Sequence, residues 1–280
     1  MRKKIILFLS LFIFNMCFIS LSWAGIRIDK PKIRISVESG SYDGGEIKVE
    51  STGNETLPVK VYLEDWVYSQ QDGGKEFMPK ATTPLSCSNW ITFYPADFTL
   101  SSNGVQIVRY TVNVPKDARG GYYSVMFFET GGGEAKSLNE KGENINVKIL
   151  NRLGALFYVE PKGTIQKTAE IKNIELLPKL NNLAVTADFF NTGNTDITVK
   201  GTLDILDSQG FVYGRGVFDD AYTLAKEKAV LRSTIQSAKL KAGDYDLVIT
   251  LEFDNGGSLT KETEFHFTSD GAITALKVKD

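Results

Sequence analysis

The chain has 280 residues, of which 42% are hydrophobic, 24% charged and 11% aromatic. This composition is typical of a globular protein and excludes a disordered, collagen-like or disulfide-dense chain. The net charge is −2 and no block of basic residues is present, so the chain has little electrostatic attraction to nucleic acid or to anionic membranes.

The first 24 residues have the features of a secretory signal peptide. Three basic residues at positions 2–4 precede an apolar run at residues 5–21, and the segment ends in Ser22-Trp23-Ala24. An uncleaved membrane anchor is the alternative, although a bilayer span needs about 20 apolar residues. We expect cleavage after Ala24, a periplasmic or secreted location, and a mature chain with 29 basic and 34 acidic residues, hence a net charge of −5.

From residue 25 onward, apolar and polar residues alternate in short segments that glycine-rich turns separate. A period of two is typical of β-strands with one buried face. Such segments lie at residues 33–37, 47–49, 59–61, 105–110, 183–187, 197–205, 247–251 and 265–267, and residues 125–128 are continuously apolar. A helix is favoured only at residues 224–231, which is too short to change the class. The sequence therefore predicts an all-β fold.

A short polar motif occurs twice. Residues 51–56 read Ser-Thr-Gly-Asn-Glu-Thr, and residues 191–196 read Asn-Thr-Gly-Asn-Thr-Asp, each between two alternating segments. Glycine and asparagine tolerate the left-handed backbone of a tight corner. We therefore predict two tandem immunoglobulin-like β-sandwich domains, residues 25–160 and 161–280, with the boundary at the helix- and strand-breaking residues 161–163.

The residue inventory contains no convincing catalytic or metal-binding group. The single histidine, His266, alternates with Phe265 and Phe267, which indicates an exposed strand position. Adjacent acids such as Asp219 and Asp220 face opposite sides of a strand and do not converge on one substrate atom. We therefore expect no enzymatic activity, no metal, no cofactor and no small-molecule substrate.

Three further residues are interpreted as core residues. Cys87 is the one cysteine that remains after removal of the signal peptide, so no internal disulfide is expected, and we predict a small buried hydrophobic side chain. Trp66 and Trp90 are predicted to fill the cores of the sandwiches, as central-strand tryptophans commonly do.

Six segments of the first 160 residues, taken together, resemble a known family. They are residues 33–37 with Arg34, residues 44–59, residues 61–66 ending in Trp66, residues 106–110, residues 119–128, and residues 145–161, which close with Phe157-Tyr158-Val159-Glu160-Pro161. In this order they resemble the N-terminal domain of the periplasmic chaperones that assemble pili in the chaperone–usher pathway. Residues 161–280 do not resemble the second domain of that family.

The resemblance implies a periplasmic chaperone that caps secreted or fimbrial subunits by donating an edge strand, with exported pilin-like subunits and an outer-membrane usher as partners. The apolar side chains of Ile145, Val147 and Ile149 would then fill a groove in the subunit. Arg34 and Arg152 would hold the carboxylate at the subunit's C-terminus by charge-assisted hydrogen bonds.

Two other interpretations stay open at the level of sequence. Residues 145–159 also have the pattern of an ordinary last core strand of a sandwich, and two immunoglobulin-like modules also suit a structural or adhesive surface protein. An exposed edge along residues 145–149 beside a basic cleft favours the chaperone. A covered edge favours the structural or adhesive protein.

Overall fold

The computed structural model describes residues 25–279 except for residues 70–72, 139–143, 180, 237–239 and 254–256. Residues 1–24, with the predicted signal peptide and its cleavage site at Ala24, lie outside the described residues. Within the described ranges the regular elements are 19 β-strands, and no helix there is long and apolar enough to cross a membrane.

Ten strands form the first half of the molecule. They are β1 (Ile26–Ile28), β2 (Lys32–Val37), β3 (Tyr42–Ser51), β4 (Leu57–Tyr68), β5 (Lys75–Met78), β6 (Ile91–Tyr94), β7 (Asp97–Leu100), β8 (Val105–Asn113), β9 (Tyr122–Leu138) and β10 (Asn144–Pro161). One sheet has the order β1-β3-β8-β6, and the other has the order β2-β10-β9-β4-β5, with β7 also pairing with β4.

Nine strands form the second half. They are β11 (Ala169–Lys179), β12 (Asn182–Asn191), β13 (Ile197–Leu206), β14 (Val212–Val217), β15 (Ala221–Thr223), β16 (Lys228–Gln236), β17 (Gly243–Phe253), β18 (Ser258–Phe267) and β19 (Ile273–Lys279). A sheet of order β11-β12-β16 faces a sheet of order β14-β13-β17-β18-β19, and β15 pairs with β13.

Each half encloses its own hydrophobic core, which lies between its two sheets. The first core includes Ile47, Val108, Phe128 and Phe157, and the second is built around buried residues such as Phe189. These side chains lie at alternate positions of their strands, as a strand with one buried face requires. The predicted all-β class with two β-sandwiches is therefore confirmed.

The repeated polar motif occupies equivalent places in the two halves. β3 ends at Ser51 and β4 begins at Leu57, while β12 ends at Asn191 and β13 begins at Ile197. In the second copy, the Asn191 side chain donates hydrogen bonds to the carbonyl oxygens of Thr195 and Leu224 and accepts one from the Gly193 amide. The motif is therefore a hydrogen-bonded corner between consecutive strands, as its composition predicted.

The three residues predicted to lie in the core, Cys87, Trp90 and Trp66, differ in their burial and in the cluster they join. Cys87 is fully buried and unpaired, and this burial raises the pKa of its thiol. Trp90 packs against the first core from a partly exposed position. The prediction for Trp66 was wrong in one respect: Trp66 is buried, but on the opposite face of its sheet, in a cluster with Tyr68, Tyr123, Val125, Phe127, Tyr158 and, from the second half, Leu224.

We propose that the two halves are separable near Pro161, because each has a core of its own. Fragments 25–160 and 164–280 are each expected to give β-type circular dichroism and a cooperative thermal transition. The first fragment is expected to melt at a lower temperature than its counterpart in the full chain, since it loses the contact of Trp66's cluster with Leu224. If neither fragment folds alone, the boundary at residue 161 is wrong or the interface is obligatory.

Candidate functional site

The hairpin formed by β9 and β10 extends beyond the first sandwich. β9 pairs with β4 only as far as Thr130, whereas its pairing with β10 continues to Leu138. We call residues 131–138 of β9 and 144–151 of β10 the arm. The arm begins at a register irregularity, where Ile149 pairs with Gly133 but Leu150 pairs with Gly131, so that Gly132 is the extra residue of a bulge.

One edge of β10 is open over most of its length. β2 pairs with β10 in parallel, from Lys32 opposite Leu156 to Val37 opposite Pro161. Among the described residues, no strand pairs with this edge between residues 144 and 155. The Leu156 amide donates to the Pro31 carbonyl on this side, and backbone groups of alternate residues point the same way. The N–H and C=O groups of the even-numbered residues 144–154 therefore face outward and are available to another strand.

An apolar stripe lies on one face of the arm. Ile145, Val147 and Ile149 are 40%, 38% and 43% exposed, which is high for branched aliphatic side chains. In β9 the residues directly opposite them are Ser137, Ala135 and Gly133, all of them small.

The same strand joins this stripe to the core. From residue 155 onward the odd-numbered side chains of β10, among them Phe157 and Val159, are fully buried in the first core. The interpretation of residues 145–159 as a last core strand therefore describes only its second half. Among the described residues, the other half is an unpaired edge that carries Ile145, Val147 and Ile149 on one face, and such an edge can complete an incomplete sheet on a partner by strand addition. In an isolated chain it is a surface that invites pairing.

Arg34 lies on β2, opposite Tyr158 of β10, on the sheet face that looks away from the first core. Its guanidinium donates to Glu160 at 2.6 Å and to both carboxylate oxygens of Asp196 at 3.0 and 2.7 Å. Burial by itself lowers the pKa of Arg34, but the two carboxylates outweigh it and raise that pKa above its usual value. Since Asp196 belongs to the second half, Arg34 links the two sandwiches.

Arg152 lies further along β10 and has other partners. Its guanidinium donates to the Glu64 carboxylate at 3.1 Å and lies 4.2 Å from the centre of the Phe127 ring and 5.2 Å from that of Phe77. Its pKa is raised, chiefly by a hydrogen bond with Tyr62 and also by the charge of Glu64.

The structure does not bring the two predicted arginines together. Arg152 and the residue opposite Arg34, Tyr158, are six positions apart on β10, which corresponds to about 20 Å along the strand. They share one face of the sheet, but each is held by its own carboxylates. The apolar stripe and Arg152 lie on the arm or at its base, whereas Arg34 lies at the joint between the two halves.

Two lysines that the sequence analysis did not single out lie near Arg34. The Lys32 ammonium is 4.5 Å from the centre of the Tyr158 ring, and the Lys75 ammonium is 5.5 Å from that of Tyr68. Neither is within 4.0 Å of a carboxylate among the described residues. For Lys32 the sequence carries a signal, because it lies two residues before Arg34 and so on the same face of its strand. For Lys75 it carries none.

These lysines line a pocket between the two halves, which we call the cleft. It has a volume of about 240 Å³ and is lined by Lys32, Tyr68, Lys75, Leu156, Tyr158, Asp196 and Tyr222, among others. Tyr68 and Tyr222 stack across it with ring centres 6.1 Å apart. Burial raises the pKa of Tyr158 to about 12, so its hydroxyl stays protonated at neutral pH. A cleft in which neither lysine pairs with a carboxylate of the described residues suits a carboxylate ligand.

His266 lies on β18, where its ring nitrogen is 2.6 Å from an Asp244 carboxylate oxygen on β17. The two side chains are 40% and 73% exposed, which agrees with the predicted exposed strand position. Within the described part of the chain, no three His, Cys, Asp or Glu side chains are grouped as a metal site would require.

The chain is similar to several solved structures from fimbrial assembly systems. One is a chain of the chaperone–tip adhesin complex of CFA/I fimbriae biogenesis, with a TM-score of 0.47 and 12% identity. Another is the class 5 fimbriae chaperone CfaA, with 0.43 and 14%. A third is a chain of the CsuC–CsuE chaperone–tip adhesion subunit complex of Acinetobacter baumannii, with 0.42 and 9%. Each similarity covers 85% of this chain and 98% of the other.

No protein-family model matches the chain, and no curated protein sequence matches it. The family that the sequence resembles is represented among the structural neighbours, at low identity and with TM-scores below 0.5.

Proposed function

We propose that this protein is a periplasmic chaperone-like binding protein that caps exported, pilin-like subunits by lending them the open edge of β10. The observation that carries the proposal is the one-sided apolar stripe of Ile145, Val147 and Ile149 on an edge with no partner strand among the described residues. Each side chain contributes roughly 1–3 kcal/mol if a client fully desolvates it. The backbone groups of the even-numbered residues 144–154 supply the hydrogen bonds of the added strand.

The cleft gives the client strand a direction. β2 runs parallel to β10 and begins at Lys32, where the open edge ends. A client strand that also runs parallel to β10 finishes against Lys32, so its C-terminal carboxylate enters the cleft. We propose that Lys32 and Lys75 hold this carboxylate together with Arg34, while Arg152 contacts another part of the client. This assignment modifies the predicted clamp of Arg34 and Arg152, because Arg34 already has two carboxylate partners.

The open edge favours strand donation over a structural or adhesive role, for which the stripe would have to be covered. We further propose that the chain acts without a cofactor or enzymatic step, after export and removal of residues 1–24. An outer-membrane usher is a further proposed partner, as the family resemblance implies.

The test is co-expression of the full chain with small exported β-rich subunits as candidate clients, followed by isolation of complexes from the periplasm. Amide hydrogen exchange is then compared between the free chain and the complex. We expect added protection of the amides of the even-numbered residues 144–154, because these face the added strand, and little change at the odd-numbered ones. A stable complex without protection there would show that the client binds elsewhere and would refute strand donation.

A further inference from the structure

An apolar pocket lies where the two halves of the chain meet, and we call it the joint pocket. It has a volume of about 420 Å³. The first half supplies Trp66, Pro84, Leu85 and Tyr123 to its lining, and the second half supplies Leu224 and Ala225. Small-molecule sites measure roughly 300–1,000 Å³, occur preferentially at domain interfaces and have a mostly apolar lining with a few polar groups. The joint pocket has this size, position and lining.

The joint pocket is separate from the cleft. Among the described residues, none lines both. The two are neighbours, because Trp66 of the joint pocket packs its ring against Tyr68 and Tyr158 of the cleft, with ring centres 5.2 and 5.5 Å apart. A ligand in the joint pocket would therefore not occupy the place of the carboxylate that is proposed to enter the cleft.

Arg119 lines the joint pocket, and its guanidinium is only partly used within the chain. Its hydrogen bonds all come from Nη1, which donates to the Ser39 hydroxyl and to the carbonyl oxygens of Lys116 and Ala118. Among the described residues, Nε and Nη2 have no acceptor. These two nitrogens form one edge of the guanidinium, and such an edge can hold both oxygens of an acidic group.

A second cation, Lys226, and one carboxylate, that of Glu227, complete the charged lining. The Lys226 ammonium donates to the Thr192 carbonyl oxygen at 2.5 Å and, like Arg119, has no carboxylate within 4.0 Å among the described residues. The Glu227 carboxylate already accepts a hydrogen bond from the Leu224 amide at 2.7 Å, within the turn that these two residues close. The groups that still lack a counterion are therefore the two cations.

We propose that the joint pocket binds an amphipathic anion, a small molecule with an apolar body and one carboxylate, sulfonate or phosphate group. The body packs against Trp66, Leu85 and Leu224, and the acidic group accepts hydrogen bonds from Arg119 and Lys226. Because both halves line the pocket, the bound ligand stabilises their docking. The proposal is independent of the proposed function, since the joint pocket contains no residue of β10.

The experiment uses two probes, sodium decanoate below its micelle concentration and 1-anilinonaphthalene-8-sulfonate, which offer an aliphatic and an aromatic body. Isothermal titration calorimetry of the full chain measures their binding. We expect at least one of them to bind and to raise the melting temperature as its concentration rises. Decylammonium has the same chain as decanoate and the opposite charge, and it should bind about tenfold more weakly than the anion that binds. Equal or tighter binding of decylammonium would mean that Glu227 governs the pocket, and the proposal would then be wrong.

Arg119→Gln and Lys226→Asn are each expected to weaken binding of the anion by about tenfold, because each removes a charged hydrogen-bond donor. Asparagine suits the backbone of Lys226, which has a φ of 66°. Arg109→Gln is the matched control. Arg109 is an exposed arginine of β8 that pairs with Glu46 outside the pocket, and its loss should leave the affinity unchanged.

Ala225→Phe is expected to abolish binding, because the larger side chain fills the pocket. Circular dichroism of every variant checks the fold, and the two charge variants decide the question if Ala225→Phe does not fold. The proposal is refuted if neither anion binds to the parent chain. Binding that Arg119→Gln and Lys226→Asn leave intact also refutes it, since the anion then lies elsewhere, for example on the apolar stripe of the arm.

Discussion

Replacing Val147 by Asp is expected to abolish capture of a client subunit while leaving the chain folded. In a complex, the new carboxylate would enter an apolar groove without a partner, which costs several kcal/mol. In the free chain the side chain is 38% exposed and opposite Ala135, so the stability of the first sandwich should fall by about 0.5 kcal/mol or less. Binding is measured by co-purification with the client, and stability by thermal melting of the same preparation.

Asn146→Asp is the matched control for this substitution. It places the same charge one residue away, on the face of the arm that carries no apolar stripe, and capture should persist. Val159→Asp provides the opposite reference, because Val159 is fully buried in the first core and a charge there should unfold it. If Val147→Asp unfolds the sandwich as Val159→Asp does, Val147 is a core residue and the structural or adhesive interpretation becomes the better one.

Arg34→Ala is expected to destabilise the chain far more than Arg152→Ala. Removing Arg34 leaves the Asp196 carboxylate, whose side chain is 6% exposed, without its charged partner, at a cost of about 1–3 kcal/mol. Arg152 forms a half-exposed pair with Glu64 and lies over two aromatic rings, and its removal should cost about 1 kcal/mol or less. Urea unfolding of the two variants gives the comparison directly.

Arg34→Lys separates charge from geometry. Lysine keeps the positive charge but cannot hold both carboxylate oxygens of Asp196 as a guanidinium does. We expect an intermediate stability. Equal stability of Arg34→Ala and the parent chain would mean that the link between the halves does not depend on this arginine. Lys32→Ala and Lys75→Ala are expected to cost about 1 kcal/mol of stability or less, since each loses a contact with a tyrosine ring but no carboxylate partner among the described residues, and to weaken client binding.

Most of the fold follows from local pattern. The alternation of Ile47 with Val49 and of Leu247 with Ile249 predicts strands because one buried face is the physical requirement, and all four side chains are fully buried. The stripe of Ile145, Val147 and Ile149 is equally visible in the sequence. The exposure of the stripe is not visible in the sequence. Alternation shows only that the three residues share a face of the strand, and it does not show whether another layer covers that face.

The sequence is least informative where contacts are distant in the chain. Trp66 is out of phase with the core residues Val59, Val61 and Leu63 of the same strand, and its cluster includes Leu224, which is 158 residues away. For Arg34 the sequence predicts a partner's carboxylate as ligand, and it gives no sign that Asp196, 162 residues away, pairs with it within the chain. In the sequence, nothing distinguishes Lys75 from an ordinary solvent-exposed lysine. Only the fold places it beside Tyr68. Such pairings depend on how the two sandwiches meet, which no local pattern encodes.

The position of β2 has a consequence for the length of any strand that binds β10. β2 occupies this edge from Leu156 to Pro161 and leaves residues 144–155, which span about 40 Å. A strand that adds here meets the end of β2 and can slide no further. β2 therefore blocks further movement of an added strand along β10. Every added strand would then end at the same position, beside Lys32. If the proposed function holds, partners whose strand continues past this point would have to bend away from the sheet, and the edge would favour chains that end there.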